Sequence, residues 1–569
     1  MSDIDRFSIV TLVFFILSII FVIRPFSFRV RFPIVGRTKL TIGLMSAPII
    51  AIAILWAAQC LGGSQIRDGI VGTDDIKPYN ILILFISLAY MAITLDVTGS
   101  LQAAAFWVSN QGGNHGRKLY LYFYILLTGI SMVIGNDPII LSGTAFLVYY
   151  TAATNLEPMA WLISEFAAAN TASMVLFVGN PTNVVICEGF LVNNAAFTAY
   201  TILPFLACSV ACYIVLMFQF RDEKHVPRKL NRTGKLNARE VLRDPVSAAV
   251  GSIMLVSCLV VIIVLSFLHV DVWKVSLPFA VAKFIFDIIW DHYRYSTDRI
   301  PKFNEKIDAD EHPDEDAMVH EIQRAMSIPP DQSADLEQSV STTLNMPMAS
   351  SPISSEKPPL THPTEKNALQ TRESVSPTST ISECRLFPEL RDKFDLLHRK
   401  LAAHFPTFFT ALPRLPFGLI PFAFSQFILI EALSKQGWID VFATWLIRAS
   451  HRQMIPTIWL IGVLGVVLCN VAGTNIGATI LLTKVVRAAN MPTSTMRAAA
   501  ISLAVASNIG AVSFTFSASL AGLLWQTILT QKKITIKQTQ FAFWNLLPIL
   551  VMTSVGLAVV TAEMVVLYH

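Results

Sequence analysis

Long apolar blocks recur along this chain, and they constrain its fold more than any other feature. Val13–Val22, Ala47–Ala58, Ile81–Ala92, Leu121–Ile134, Ile202–Met217, Ile253–Leu268 and Leu546–Val566 are nearly free of charge. About 20 such residues span the hydrocarbon layer as a helix. A soluble core can hide one block of this kind, but not a series of them. Composition agrees: 53% of the 569 residues are hydrophobic and 14% are charged, against about 25% charged in ordinary soluble domains. The expected fold class is an all-α polytopic membrane protein. The first apolar segment, Ile9–Val22, follows an acidic start with no small-residue cleavage motif, so it reads as a span and not as a removable signal.

One stretch breaks the pattern. Residues 291–412 are rich in Ser, Pro, Glu and Lys, with Pro329-Pro330 and Pro358-Pro359 inside them. A segment of this composition cannot bury enough apolar surface to fold alone. It is expected to be a disordered linker, with helical stretches near Glu315–Met326 and Leu386–Phe405. The chain then divides into a first membrane repeat (1–246), two opening spans of a second (247–290), the linker (291–412) and the remainder of the second repeat (413–569).

The halves resemble each other. Leu95, Gly99, Ala105 and Trp107 recur at an offset of 338 as Leu433, Gly437, Ala443 and Trp445, and Asn170 recurs at the same offset as Asn508. Between these anchors the register slips by four, bringing Asn136 opposite Asn470. Each half reads as two spans (8–24 and 42–61; 247–268 and 272–290), a third (80–96; 415–433) and an amphipathic segment (100–109; 438–449). A re-entrant hairpin (119–151; 456–486), a broken helix (158–187; 496–530) and a closing span (197–218; 541–566) follow. Five crossings per half make the two repeats inverted.

Charge placement orients the chain. Loop 24–41 carries Arg24, Arg29, Arg31, Arg37 and Lys39, and loop 219–246 carries eight more Lys and Arg residues. Such clusters favour the cytoplasmic side, which places the linker in the cytoplasm and both termini outside. Arg448, Arg452, Lys484, Arg487 and Arg497 run against that rule in the second half.

Polar clusters interrupt the apolar segments at matched places in the two halves. Lipid cannot satisfy the backbone groups that a broken helix exposes, so breaks persist only in buried or cavity-lining positions. The candidate solute-binding residues are Asn136 and Asp137; Asn170, Thr171 and Ser173; Asn180, Thr182 and Asn183; Asn470, Thr474 and Asn475; and Asn508, Ser513 and Thr515. Small polar residues of this kind also simply allow close helix packing. Recurrence of the clusters in both halves favours a site.

Asp137 and Glu165 are the candidate coupling residues, since a carboxylate at membrane depth is costly unless paired or protonated. For Asp137 the competing role is capping a half-helix that starts at Pro138. Glu431 reads as a residue near a helix end. Cys469 adjoins the second hairpin, where packing is its plainer role. The seven cysteines show no metal-ligand spacing, so no metal or other cofactor is expected.

The runs Asn136-Asp137, Ala169-Asn-Thr-Ala-Ser173, Gly179-Asn-Pro-Thr-Asn183, Asn470–Asn475 and Ser507–Leu524 resemble the arsenite efflux permease family, within the ion transporter superfamily (citrate transporter-like domain). The resemblance covers roughly 1–290 and 413–569. It implies a solute site where two hairpin tips and two broken helices meet. The run Asn508–Ser517 lacks the lysine and the Thr-Pro-Ile-Gly sequence of a close arsenite permease.

The expected function is secondary transport of a small inorganic oxyanion or hydroxide, arsenite- or antimonite-like, as proton-coupled efflux. Alternatives are a sodium-coupled carboxylate transporter, a sodium/proton antiporter and, in another class, an anion channel. No nucleophile–base constellation marks an enzyme, and no Gly-x-x-x-x-Gly-Lys phosphate loop is present. The partners are the solute, a proton or sodium ion and the bilayer. A homodimer is allowed and no nucleic acid is expected. The plasma membrane is the favoured location, with a vacuole or other endomembrane as the alternative.

Overall fold

The computed structural model describes residues 4–32, 36–73, 75–230, 238–268, 270–300 and 388–568. Nine of its helices are long and apolar enough to cross a membrane, from Arg6–Ile23 to Gln538–Tyr568. They turn large apolar side chains outward: Ile9, Val13, Ile16 and Ile20 follow one another on the exposed face of the first helix. Water would penalise such a stripe and lipid does not. The chain is an integral membrane protein.

Four sequence expectations change. The loop expected at 24–41 contains an antiparallel pair of strands, Phe26–Phe32 with Gly36–Ile42, in the register Phe26 to Ile42. The alternation Phe26-Ser-Phe-Arg-Val-Arg-Phe32 has the period of a strand. The second span at 42–61 is instead a 12-residue helix, Ser46–Ala57, followed by Gly63–Val71. At 1.5 Å per residue, neither helix crosses the bilayer by itself.

The other two changes concern the second half. Trp273–Ser296 is not among the nine apolar spans. It carries a buried Lys283–Asp287 ion pair, and Asp287 accepts a hydrogen bond from Tyr90 at 3.0 Å. The linker is also shorter than 291–412. Asp291 is buried and receives the Thr407 amide at 2.8 Å, and helices Pro388–His404 and Pro406–Ala411 follow residue 387. Glu315–Met326 lies outside the described residues.

The halves interlock. Helix Pro78–Val97 packs against Pro245–Leu265 and Trp273–Ser296 of the second half, while Leu419–Lys435 packs against Ser46–Ala57 and Gly63–Val71 of the first. Two apolar cores result, and each draws residues from both halves. Charged groups tie the exchange at one end. Lys484 Nζ lies 2.7 Å from Glu431 Oε2 and 2.9 Å from Thr73 Oγ1, and Arg487 lies 3.3 Å from Asp75. Lys484 and Arg487, which run against the charge rule, are therefore both ion-paired. Nearby, the Lys77 and Lys274 ammonium groups hold the Asp271 carboxyl below the usual carboxylate range.

Gly135 and Gly473, again 338 apart, share a positive φ (85° and 84°) and precede helices Asn136–Ala153 and Asn475–Ala488. Asn470 lies in the helix before the turn at Gly473, whereas Asn136 follows the turn at Gly135. In sequence alone the shared Asn outweighed the glycine, although the glycine is what the turn requires.

Candidate functional site

Four helices begin inside the molecule, each for a local reason. Asn136–Ala153 starts after Gly135 and Asn475–Ala488 just after Gly473, at positive φ that costs an L-residue roughly 1–3 kcal/mol. Gly135→Ala or Gly473→Ala should therefore destabilise the protein by about that much. Thermal unfolding of the purified variants measures it, and an unchanged midpoint would remove the conformational argument. Pro181–Gly189 starts with proline at its first position, and the Asn180 side chain accepts from Thr182 N at 3.1 Å. Leu520–Gln531 is capped by Ser519, which accepts from Gly522 N at 3.1 Å.

All four starts meet. Asn136 and Asp137, Asn180 and Pro181, Asn475 and Ile476, and Ser519 and Leu520 line one small cavity. A second cavity shares Asn136 and Asp137 and runs along Phe85, Leu88, Ile93 and Leu141 to Arg414. The first amides of a helix lack internal partners, and its start carries roughly half a positive charge. Four such ends around one space suit an anion or a strongly polar solute. Asp137 lines both cavities and has no hydrogen-bond or ion-pair partner among the described residues. It does not act as a cap, because the helix starts at Asn136 with Gly135 in the capping position. Arg414, 33% exposed, lies 3.5 Å from Asp96.

Most of the other candidate residues hold this arrangement from behind. Asn183 Nδ2 donates to Ser173 O at 2.8 Å and Leu176 O at 2.9 Å, satisfying carbonyls that the break after Ala172 leaves open. Asn508 Nδ2 donates to Asn183 Oδ1 at 2.8 Å, and its Oδ1 accepts from Ser173 Oγ at 2.8 Å. One buried amide thus joins the two broken helices. Asn170 accepts from Asn136 Nδ2 at 3.0 Å, linking the break to the first tip. Asn508→Ala would strand the buried Asn183 side-chain oxygen, while the Ser173 hydroxyl keeps the Asn170 carbonyl as its acceptor at 2.7 Å, so the cost is about 1–3 kcal/mol. Unfolding in denaturant should show that loss, and a loss well below it would mean that neighbouring groups repair the gap.

The remaining assignments separate further. Thr182 is bonded to Asn180 and Ser507, and Thr474 caps its helix by accepting from Gly477 N. Asn470 accepts from Phe514 N at 2.7 Å, and Ser513 donates to Thr515 O at 2.8 Å. The Thr515 hydroxyl is buried without a partner among the described residues. Thr171 donates to Ala167 O and faces Met552 Sδ, and Cys469 packs on Gly510. None of these side chains lines either cavity. Glu165 is also removed from both. It is fully buried, accepts from Thr144 at 3.0 Å and abuts Gly143.

The sequence reading missed Ser519, Pro181 and Arg414. Ser519 was legible as a capping serine before an apolar run; Arg414 was not, because only the packing of residues 406–419 turns it toward the cavity.

A citrate transporter family profile matches residues 7–294. Arsenical pump membrane proteins are similar to this chain. Those of Escherichia coli K12 (25% identical over 242 residues) and Yersinia enterocolitica (26% over 247) each cover 41% of it. The chain in turn spans 56–57% of the length of these curated relatives. Among solved structures, the YdaH transporter of Alcanivorax borkumensis aligns with 99% of this chain and 98% of its own. The TM-score of 0.36 and 10% identity are too low for that alignment to carry an argument.

Proposed function

The chain belongs to the citrate transporter family, and from that premise we propose that it is a secondary active transporter of a small anionic or strongly polar solute. The carrying observation is the convergence of four helix starts on one cavity with Asp137 in its wall. In this reading the halves are inverted repeats of five crossings each. The turns at Gly135 and Gly473 are tips of re-entrant hairpins, and the solute lies near the midplane. Movement of one repeat element against the other alternates access, with Asp137 carrying the coupled proton and the plasma membrane as the site of action.

The solute is an inorganic oxyanion or hydroxide of the arsenite and antimonite kind. The cavity at the tips is small, Asn136, Asp137, Asn180, Asn475 and Ser519 supply its polar groups, and the similar proteins are named arsenical pumps. A second reading, a carboxylate carrier that uses sodium, is favoured by the largely apolar space ending at Arg414 and by the family's name. Proteoliposomes with imposed proton or sodium gradients, supplied with arsenite, antimonite and carboxylates in turn, separate the two. Arsenite flux driven by protons without sodium supports the first. Sodium-dependent carboxylate flux replaces it with the second, and flux that ignores both gradients leaves a channel.

A further inference from the structure

We propose that a cavity remote from the helix-start site holds the phosphate of an anionic phospholipid, with its acyl chain against Leu203, Leu206 and Val210. The cavity, about 260 Å³, opens where helix Pro181–Gly189 ends and helices Asn194–Gln219 and Thr493–Val512 begin. Arg497 is the one charged residue that lines it, and no carboxylate does. Arg497 Nη1 donates to Tyr568 Oη at 2.8 Å, with Tyr200 as a second phenol beside it. Phenols leave the positive charge in place, and a guanidinium has five N–H donors. Thr493, also in the lining, opens a 20-residue helix whose first turn has no side-chain cap. Two independent sources of positive potential therefore share one space.

The walls identify the carrier of the anion. Leu191, Val192, Ala196 and Met496 are apolar, and Leu191 is 74% exposed. From Tyr200 the outward face of the helix continues through Leu203, Leu206, Val210 and Ile214, all exposed. A charge anchored at one end of an apolar stripe, beside tyrosines, fits an amphiphile at the membrane boundary better than free phosphate.

The test uses the full chain in neutral detergent, with binding read by native mass spectrometry. Phosphatidylglycerol should stay bound to the parent, and about tenfold more weakly to R497Q, as loss of one charge-assisted contact implies. Thr493→Asp keeps Arg497 and suits a helix start, so it threatens folding little. It should weaken phosphatidylglycerol in the same way. Phosphatidylcholine, whose choline cation offsets its phosphate, should bind the parent more weakly than phosphatidylglycerol does, and inorganic phosphate should not compete. Unchanged phosphatidylglycerol binding in either variant overturns the site, and displacement by inorganic phosphate overturns the lipid assignment.

Discussion

Replacing Asp137 by asparagine is expected to abolish proton-driven accumulation while leaving downhill exchange of the solute in place. The carboxylate lines both cavities without a partner among the described residues, so it can gain and lose a proton as access alternates. Asparagine preserves shape and polarity but holds no exchangeable charge. A gradient of one pH unit sustains about a tenfold accumulation for each coupled proton. In vesicles carrying Asp137→Asn the ratio should fall to about one, whereas Asp137→Glu should retain part of it. Full accumulation by the asparagine variant would remove Asp137 from the coupling step. Solute binding that disappears together with accumulation would instead make it a ligand.

The second large effect is expected at Glu431 and Lys484. Their side chains are 4% and 6% exposed, and they join helices Leu419–Lys435 and Asn475–Ala488 beside Thr73. Removing one partner leaves a buried charge without its counterion, which costs about 3–5 kcal/mol. Lys484→Met should therefore lower the unfolding midpoint sharply. Lys435, 3.9 Å from the other Glu431 oxygen and half exposed, offers little compensation. Replacing both residues together, as Glu431→Leu with Lys484→Met, should recover most of the loss, because an apolar pair of similar volume avoids desolvating two ions. Equal losses in the single and double variants would show that the two residues do not act as a unit.

Much of the site's location was legible in the chain. Asn, Gly and Pro inside apolar runs mark places where a helix must break, and the breaks occur at Gly135, Asn180 and Gly473 as that chemistry demands. The division of labour among the polar residues was not legible. Asn136 and Asn170 look alike in sequence, yet one lines a cavity and the other braces it.

The sequence by itself determined that this is a membrane protein with helix breaks inside its apolar segments. Those properties follow from local hydropathy and from the backbone preferences of Gly and Pro. Only the tertiary structure decided which broken ends meet. Asn136–Ala153 packs against Leu520–Gln531, and Asn475–Ala488 against Pro181–Gly189, so each tip is completed by the opposite half. Such pairings depend on the complementary surfaces of helices far apart in the chain, and no local pattern records them. The same holds for Lys484, which sequence leaves as an out-of-place cation and packing turns into the counterion of Glu431.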